Sequence, residues 1–420
     1  MPTQSRDSLH IIHATISPLG GAGAVATRLY RAQSALGHKT GLTTLFERPF
    51  PRWAAAHPGV AVAALIDFLL VRKNRQSSFF SLWRRQHQPR IARRLRQHRG
   101  VLHLHWLPGM LRPAELFASP PAASALVWTM HDLWPLTGGC HFAYDCTEFE
   151  RDCANCPQAR RPFHGMIRRT LAEKRTAMQQ VPEMCLVTPS DWAAQQVLRS
   201  SVMQGLKVRT IPNPVDTTVF RPFNREQQRQ AWGCRDGDFV IGLGAADLGD
   251  TRKQIAPTLL VLQDWFLNLP DRSRIKIVVY GGGKLPSDLP TENFRLLGKS
   301  PDATTLATWY SAMDLHLSLS LYETFGNTLA EAAACGVPSI CRTGSGAAEV
   351  VSHDEGGFHL TEIAQLPSLL ESLRTNPAQC KTLGQAAYTR ALRLYDSQVV
   401  AQQYLSLYSE LQNGYSLQRQ

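Results

Sequence analysis

No stretch of this chain reaches the ~18 uninterrupted apolar residues that a membrane span requires. The nearest approach, VAVAALIDFLLV at residues 60–71, is short and carries Asp67. The N-terminus lacks the basic, apolar and small-residue order of a secretory leader, which predicts a cytoplasmic protein. Charge is sparse at 19% against 44% hydrophobic residues, a balance that excludes a disordered chain. No pair of aspartates is spaced to hold a catalytic metal, so none is expected. Nine cysteines in 420 residues are an odd number, and a disulfide framework is not the expectation.

Acid is also missing locally. Between Asp67 and Glu115 there is none, while Arg72, Lys73, Arg75, Arg84, Arg85, Arg90, Arg93, Arg94, Arg96 and Arg99 all fall there and feed a net charge of +12. One reading is a solvated helical face. The other is an anionic membrane surface, since FLLVRKNRQSSFFSLWRR mixes apolar, aromatic and cationic residues as interfacial helices do. That would make the protein peripheral on the inner face of the cell membrane. Nucleic acid is not expected, because no recognition motif accompanies the charge.

What is present repeats. Short continuous apolar runs occur at LHIIHATIS (9–17), GVLHLHWL (100–107), ALVWTMHD (125–132) and MCLVTPS (184–190). A second set follows at DFVIGLGA (238–245), RIKIVVYGGG (274–283), NFRLLG (293–298), LHLSLS (315–320) and PSIC (338–341). Runs of this kind, each closed by turn or cap residues, read as buried parallel strands. The fold class is therefore α/β, with two doubly wound Rossmann-like domains facing across a cleft. Prolines and Asn/Asp turn residues in IPNPVDTTVFRPF (211–223) place the join. The expected division is 1–214, 215–396 and a C-terminal helix at 397–420 that crosses back.

Ligands of such folds bind at the carboxyl ends of strands. After the first strand, Gly21, Gly23 and Ala26 match G-x-G-x-x-A, with Glu47 further on, as in dinucleotide sites. Ser17, Pro18 and Leu19 intervene, so a loop that lets substrate approach is favoured over both a dinucleotide site and a plain turn. His131 and Asp132 end another strand, an acid beside an imidazole at the cleft rim. His103 and His105 read as packing or acceptor-side residues. Cys140, Cys146, Cys153 and Cys156 form C-x5-C-x6-C-x2-C, a candidate structural zinc site, with free thiols as the alternative.

In the second half, Arg252 and Lys253 follow a strand and a loop, where cations neutralise phosphates. YETFGNTLAEAAACGVP (322–338) starts a helix after Gly326, with Asn327 or Thr324 as its cap. Free amides there attract phosphate. The alanines form the helix's buried back, and Glu323 and Glu331 sit at its exposed front end. Glu331, a turn into the helix, is able to accept two sugar hydroxyls.

This combination resembles the family 4 glycosyltransferases, retaining enzymes of the GT-B fold, through E-x7-E at Glu323 and Glu331. VTPSDWAAQQV, IPNPVDTTVFRP and YGGGK with NFRLLGKSPDATTLATWYSAMDLHLSLS extend the likeness. VWTMHDLWPLTGGCHFAYDCTEFERDCANCPQ looks like the bacterial exopolysaccharide, colanic-acid type subgroup. The resemblance implies that Glu323 contacts donor-sugar hydroxyls and Glu331 holds the nucleotide ribose. It further implies that Thr324, Phe325, Gly326 and Asn327, with Lys253, meet the diphosphate, and that His131 contacts the transferred sugar. Gly20 and Gly21 would form the loop facing donor and acceptor. The family's arginine a few residues before the lysine is missing, Ala246 and Asp247 standing there, and Arg252 would substitute. The implied partners are a nucleotide sugar and a saccharide or polyprenyl-linked acceptor. Alternatives are a glycoside phosphorylase on the same fold, an NAD-dependent oxidoreductase using Gly21-x-Gly23, and a basic, zinc-containing adaptor.

Overall fold

The computed structural model describes residues 8–46, 80–81, 88–283 and 293–417. Glu47, Arg72, Lys73, Arg75, Arg84, Arg85 and Lys284 lie outside the described residues, as does the 60–71 run. The chain divides into unit 1, Met1–Pro214 with Ser397–Gln420, and unit 2, Val215–Asp396.

Unit 1 carries a six-stranded sheet in the order β2-β1-β3-β4-β5-β6. Its strands are β1 (His10–Ala14), β2 (Lys39–Thr43), β3 (Val101–Leu104), β4 (Ala125–Thr129), β5 (Cys185–Thr188) and β6 (Lys207–Thr210), and every pairing is parallel. Side chains alternate between two cores, as strand geometry requires. Ile12, Leu102, Leu126 and Trp128 enter one. Ile11, Val101, Ala125 and Val127 enter the other, with Leu29 of the helix Gly20–Ala35. The helix Ser397–Leu417 lies on this second face, burying Val400, Tyr404, Leu407, Tyr408 and Leu411.

Unit 2 has the order β12-β11-β10-β7-β8-β9, again all parallel. Its strands are β7 (Phe239–Asp247), β8 (Ile275–Gly282), β9 (Phe294–Gly298), β10 (Leu315–Ser318), β11 (Ser339–Arg342) and β12 (Gly357–Leu360). Strand order reverses between β7 and β10 in unit 2 and between β1 and β3 in unit 1. Such switch points leave a crevice at the carboxyl ends of the strands, where ligands bind in doubly wound sheets.

Of the basic segment, the described part is the helix Pro89–Gln97, with Arg90, Arg93 and Arg94 exposed and Ala92 and Leu95 buried. Among the described residues no helix is long and apolar enough to cross a membrane.

Candidate active site

At the switch point of unit 2, β7 leads into a 3-10 turn, Thr251–Lys253, and β10 leads into the loop holding Glu323. Asp250 caps the turn by accepting from the backbone N–H of Arg252 at 3.0 Å. The buried Arg252 guanidinium then binds Asp250 at 2.9 Å, Glu323 at 3.1 Å and the carbonyl of Tyr322 at 2.9 Å. The Lys253 ammonium also pairs with Glu323. Burial alone would raise the Glu323 pKa, but Lys253 and then Arg252 outweigh it and hold the carboxyl at about 2. Arg252 thus fixes Glu323 in this structure. Lys253 keeps 23% of its side chain exposed against 8% for Arg252, which makes it the cation able to exchange partners.

The loop continues through buried Thr324 and Phe325, whose ring meets Tyr395 edge-on at 5.4 Å. Gly326 caps the helix Asn327–Ala334 at φ +116°, with no side-chain cap bond, so neither Asn327 nor Thr324 serves as the expected cap. Glu331 is buried, at 7% exposure, which corrects the expectation of an exposed front end. The helix has only eight residues, and Leu329 through Ala334 are all buried. One turn from its start, its side chains already face the core. Beside Glu331 are Tyr280 and Tyr310, whose hydroxyls are pushed up chiefly by burial, with the Glu331 charge a smaller contribution to each.

The sequence reading missed residues here. Gly346 donates its N–H to the carbonyl of Glu323 at 2.9 Å, and neighbouring Ser345 is buried with its hydroxyl unpaired. The signal was a glycine turn, TGSG at 343–346, one residue after the 338–341 strand run.

In unit 1, Gly20 opens its helix at φ +79°, and Gly20 and Gly21 are exposed. Gly23 has a different task. A Cβ there would lie 2.3 Å from the carbonyl oxygen of Ser17, so its missing side chain lets the helix close onto the loop. His131, two residues past β4, bonds through Nε2 to Nδ1 of His105 at 3.0 Å. Burial pushes its pKa down to about 4, against a smaller upward pull from Asp132. The Asp132 carboxylate itself accepts from Trp106 Nε1 and His141 Nδ1, both at 2.6 Å, and from the N–H of Trp134 at 2.9 Å. It orders the loop after β4.

That loop carries the four cysteines. Cys140, Cys153 and Cys156 are buried and Cys146 is half-buried, all as free thiols. Tyr144 and Cys153 adopt left-handed backbone angles, φ +53° and +56°. Among the described residues no three of these sulfurs come within 4.8 Å of one another; the group that does converge is His13, His103 and His105. Burial pushes the Cys153 thiol up to about 12. Lys174, fully buried and unsuspected from sequence, donates to the carbonyls of Trp134 and Thr137, and burial pulls its pKa down to about 7.

Two doubly wound sheets, with a charged cluster at one switch point and imidazoles at the other, define the GT-B class of α/β protein. Residues 19–219 match Glycosyltransferase Family 4, and residues 254–375 match the family of Glycosyl transferases group 1. The chain belongs to these glycosyltransferases. It is 26% identical to WcaC of Escherichia coli (strain K12), named for glycosyl transfer in colanic acid biosynthesis, over 93% of this chain and 97% of that protein. It is 27% identical to D-inositol 3-phosphate glycosyltransferase of Kribbella flavida, over 69% of this chain and 66% of that protein. Among solved structures, HepE of Anabaena in complex with UDP-glucose superposes with a TM-score of 0.62 at 16% identity, over 96% of this chain and all of that one. The starch synthase IV catalytic domain of Arabidopsis thaliana, bound to ADP and acarbose, gives 0.61 at 15% over 97% of this chain and all of that one.

Proposed function

We propose that this glycosyltransferase moves a sugar, with retention, from a nucleotide diphosphate sugar to a saccharide or lipid-linked saccharide acceptor in cell-surface polysaccharide synthesis. The observation that carries the reading is the unit 2 switch point. Glu323, Lys253 and the start of the helix Asn327–Ala334 all lie at the carboxyl ends of β7 and β10. Lys253 and the helix amides take the charge that develops on the diphosphate as the glycosidic bond breaks. No metal is needed for that step. Glu331 receives the ribose hydroxyls, and Glu323, kept ionised by Lys253 and Arg252, meets the hydroxyls of the donor sugar. His131 in unit 1 serves the reacting sugar. WcaC supports the polysaccharide context and HepE the nucleotide-sugar donor. The exposed arginines of the Pro89–Gln97 helix suit an anionic membrane that carries a lipid-linked acceptor.

The test is a thermal-shift screen of the full chain with UDP, GDP and ADP sugars, repeated with Glu331→Gln. One nucleotide sugar is expected to stabilise the protein, and the variant to lose most of that shift. Loss of two ribose bonds corresponds to affinity lower by about a hundredfold. If no nucleotide sugar stabilises the protein and Glu331→Gln changes nothing, the reading fails.

A further inference from the structure

One face of the unit 1 sheet carries polar groups where a doubly wound core is otherwise apolar. His13 on β1 stands opposite His103 on β3, and His105 and His131 follow at the ends of β3 and β4. All four rings connect. His131 Nε2 reaches His105 Nδ1 at 3.0 Å, and His105 Nε2 reaches His13 Nδ1 at 3.0 Å. His13 Nε2 reaches Gln33 Oε1 at 2.9 Å, and the Gln33 amide nitrogen donates to the Tyr408 hydroxyl at 3.3 Å. Tyr408 meets His103 Nδ1 at 2.6 Å, and His103 Nε2 meets the Thr129 hydroxyl at 2.7 Å. The chain leaves from one end of β4 and returns to it.

With the Gln33 amide oxygen turned toward His13 and its nitrogen toward Tyr408, a direction follows for His13, His105 and His131. The amide oxygen of Gln33 can only accept, so His13 must carry its proton on Nε2. A neutral ring with Nε2–H accepts at Nδ1, so His105 donates from its own Nε2. The same argument passes to His131, which donates from Nε2 to His105. Burial pushes His13 and His131 down to about 4, and His103 and His105 well below the usual range. The rings are therefore neutral near pH 7, and each holds one ring proton.

We propose that Gln33, His13 and His105 are positioning residues that hold His131 as its Nε2–H tautomer, so that it meets the reacting sugar with a hydrogen-bond-accepting Nδ1. This rests on the assignment of His131 to that sugar. The C-terminal helix takes part, since Tyr408 accepts from the Gln33 amide nitrogen. A metal on His13, His103 and His105 is the competing use of the same atoms. It is disfavoured because both nitrogens of each of these rings are already hydrogen-bonded within the protein.

The experiment is 15N-histidine NMR on the full chain near neutral pH, which distinguishes the two neutral tautomers and the cation. His13, His105 and His131 are expected as Nε2–H. Gln33→Leu removes the fixed acceptor, so His131 is expected to show mixed tautomers while kcat falls about tenfold at unchanged KM for the donor. Where that variant fails to fold, Tyr408→Phe, which loses one hydroxyl and lets the amide turn over, carries the same expectation at smaller amplitude. The proposal is overturned by a wild-type His131 that is Nδ1–H or cationic. It is equally overturned by a fall in kcat with His131 signals unmoved, or by one bound zinc per chain that abolishes the Nε2–H signals of His13 and His105. Full activity in His131→Asn would instead sink the assignment of His131 to the sugar, and the tautomer spectra separate the two failures.

Discussion

The two switch points hold polar groups in opposite electrostatic states. In unit 2, Glu323 lies among cations, and two of them overcome the cost of burial, so the group stays charged. In unit 1, His13 and His131 face other imidazoles, burial prevails, and the groups stay neutral. Both sheets are parallel and both clusters sit at strand carboxyl ends. What differs is whether a partner of opposite charge comes with the buried group. A charged pair suits a place where a phosphate must be exchanged for a carboxylate. A neutral chain suits a place where a hydroxyl must be recognised by direction.

Acid separates the two states, and the effect is the largest expected. Below the ordinary histidine value of 6.5 the unfolded chain gains protons that the folded rings refuse until about pH 4. The unfolded state then binds more protons, so stability is complete above pH 6.5 and falls as the pH drops toward 4. For His13 and His131 the shift corresponds to on the order of 3 kcal/mol each. His316 in unit 2, buried and held at about 3, adds to the same fall. Glu323 acts in a lower window. Its contribution is present above 4.5 and is lost as the pH falls toward 2. Urea midpoints of the full chain at pH 7, 5.5 and 4 check this, and a flat profile down to pH 5 would break the contrast.

The second test removes the partner. Arg252→Met leaves Asp250 and Glu323 with one cation between them, Lys253, in a buried place. Breaking a buried pair in this way costs about 3–5 kcal/mol. Arg252→Lys is not expected to restore it, because three acceptors are held by one planar fork. Lys253→Met leaves Glu323 paired with Arg252, and its stability loss is expected to be smaller, because Lys253 holds one of these acceptors where Arg252 holds three. The same variant is expected to lose nucleotide-sugar binding. Chemical denaturation and ligand thermal shifts measured together distinguish the two cations, and equal destabilisation by both would refute the division of labour.

The sequence made the interior strands legible and the edges not. Every central strand was buried along most of its length and carried apolar residues at half or more of its positions. The strands that went unread, β2, β6 and β12, are three of the four sheet edges, and their residues are largely half-buried or exposed. An edge strand needs no second apolar face, so Lys39–Thr43 and Lys207–Thr210 leave no run to read. The imidazole chain had a signal in HIIHA and HLH, where histidines share the alternation of core residues. Their partner Tyr408 is 305 residues from His103, a separation that no local pattern spans. The burial of Glu331 was hidden for a related reason. An alanine-rich helix shows which residues are small, and the length of the helix decides how soon they turn inward.

Two glycines give the smallest and sharpest test of unit 1. Gly23→Ala drives a Cβ to 2.3 Å from the Ser17 carbonyl oxygen, a backbone atom that cannot turn aside, and is expected to cost about 1–3 kcal/mol. At Gly20 no atom lies within 4 Å of the added methyl, and only its φ of +79° resists substitution. Gly20→Ala is therefore expected to cost about 1 kcal/mol. Activity should rank them the other way. Gly20 is exposed at the head of its helix, and if its loop faces the substrate as proposed, a methyl there is expected to lower kcat/KM while costing little stability. Gly23 is buried beneath the loop, and its variant should lose stability with little change in KM in the fraction that remains folded. Denaturation midpoints and donor KM for the two variants decide the matter, and a Gly20→Ala enzyme with wild-type kcat/KM would show that the loop meets no substrate.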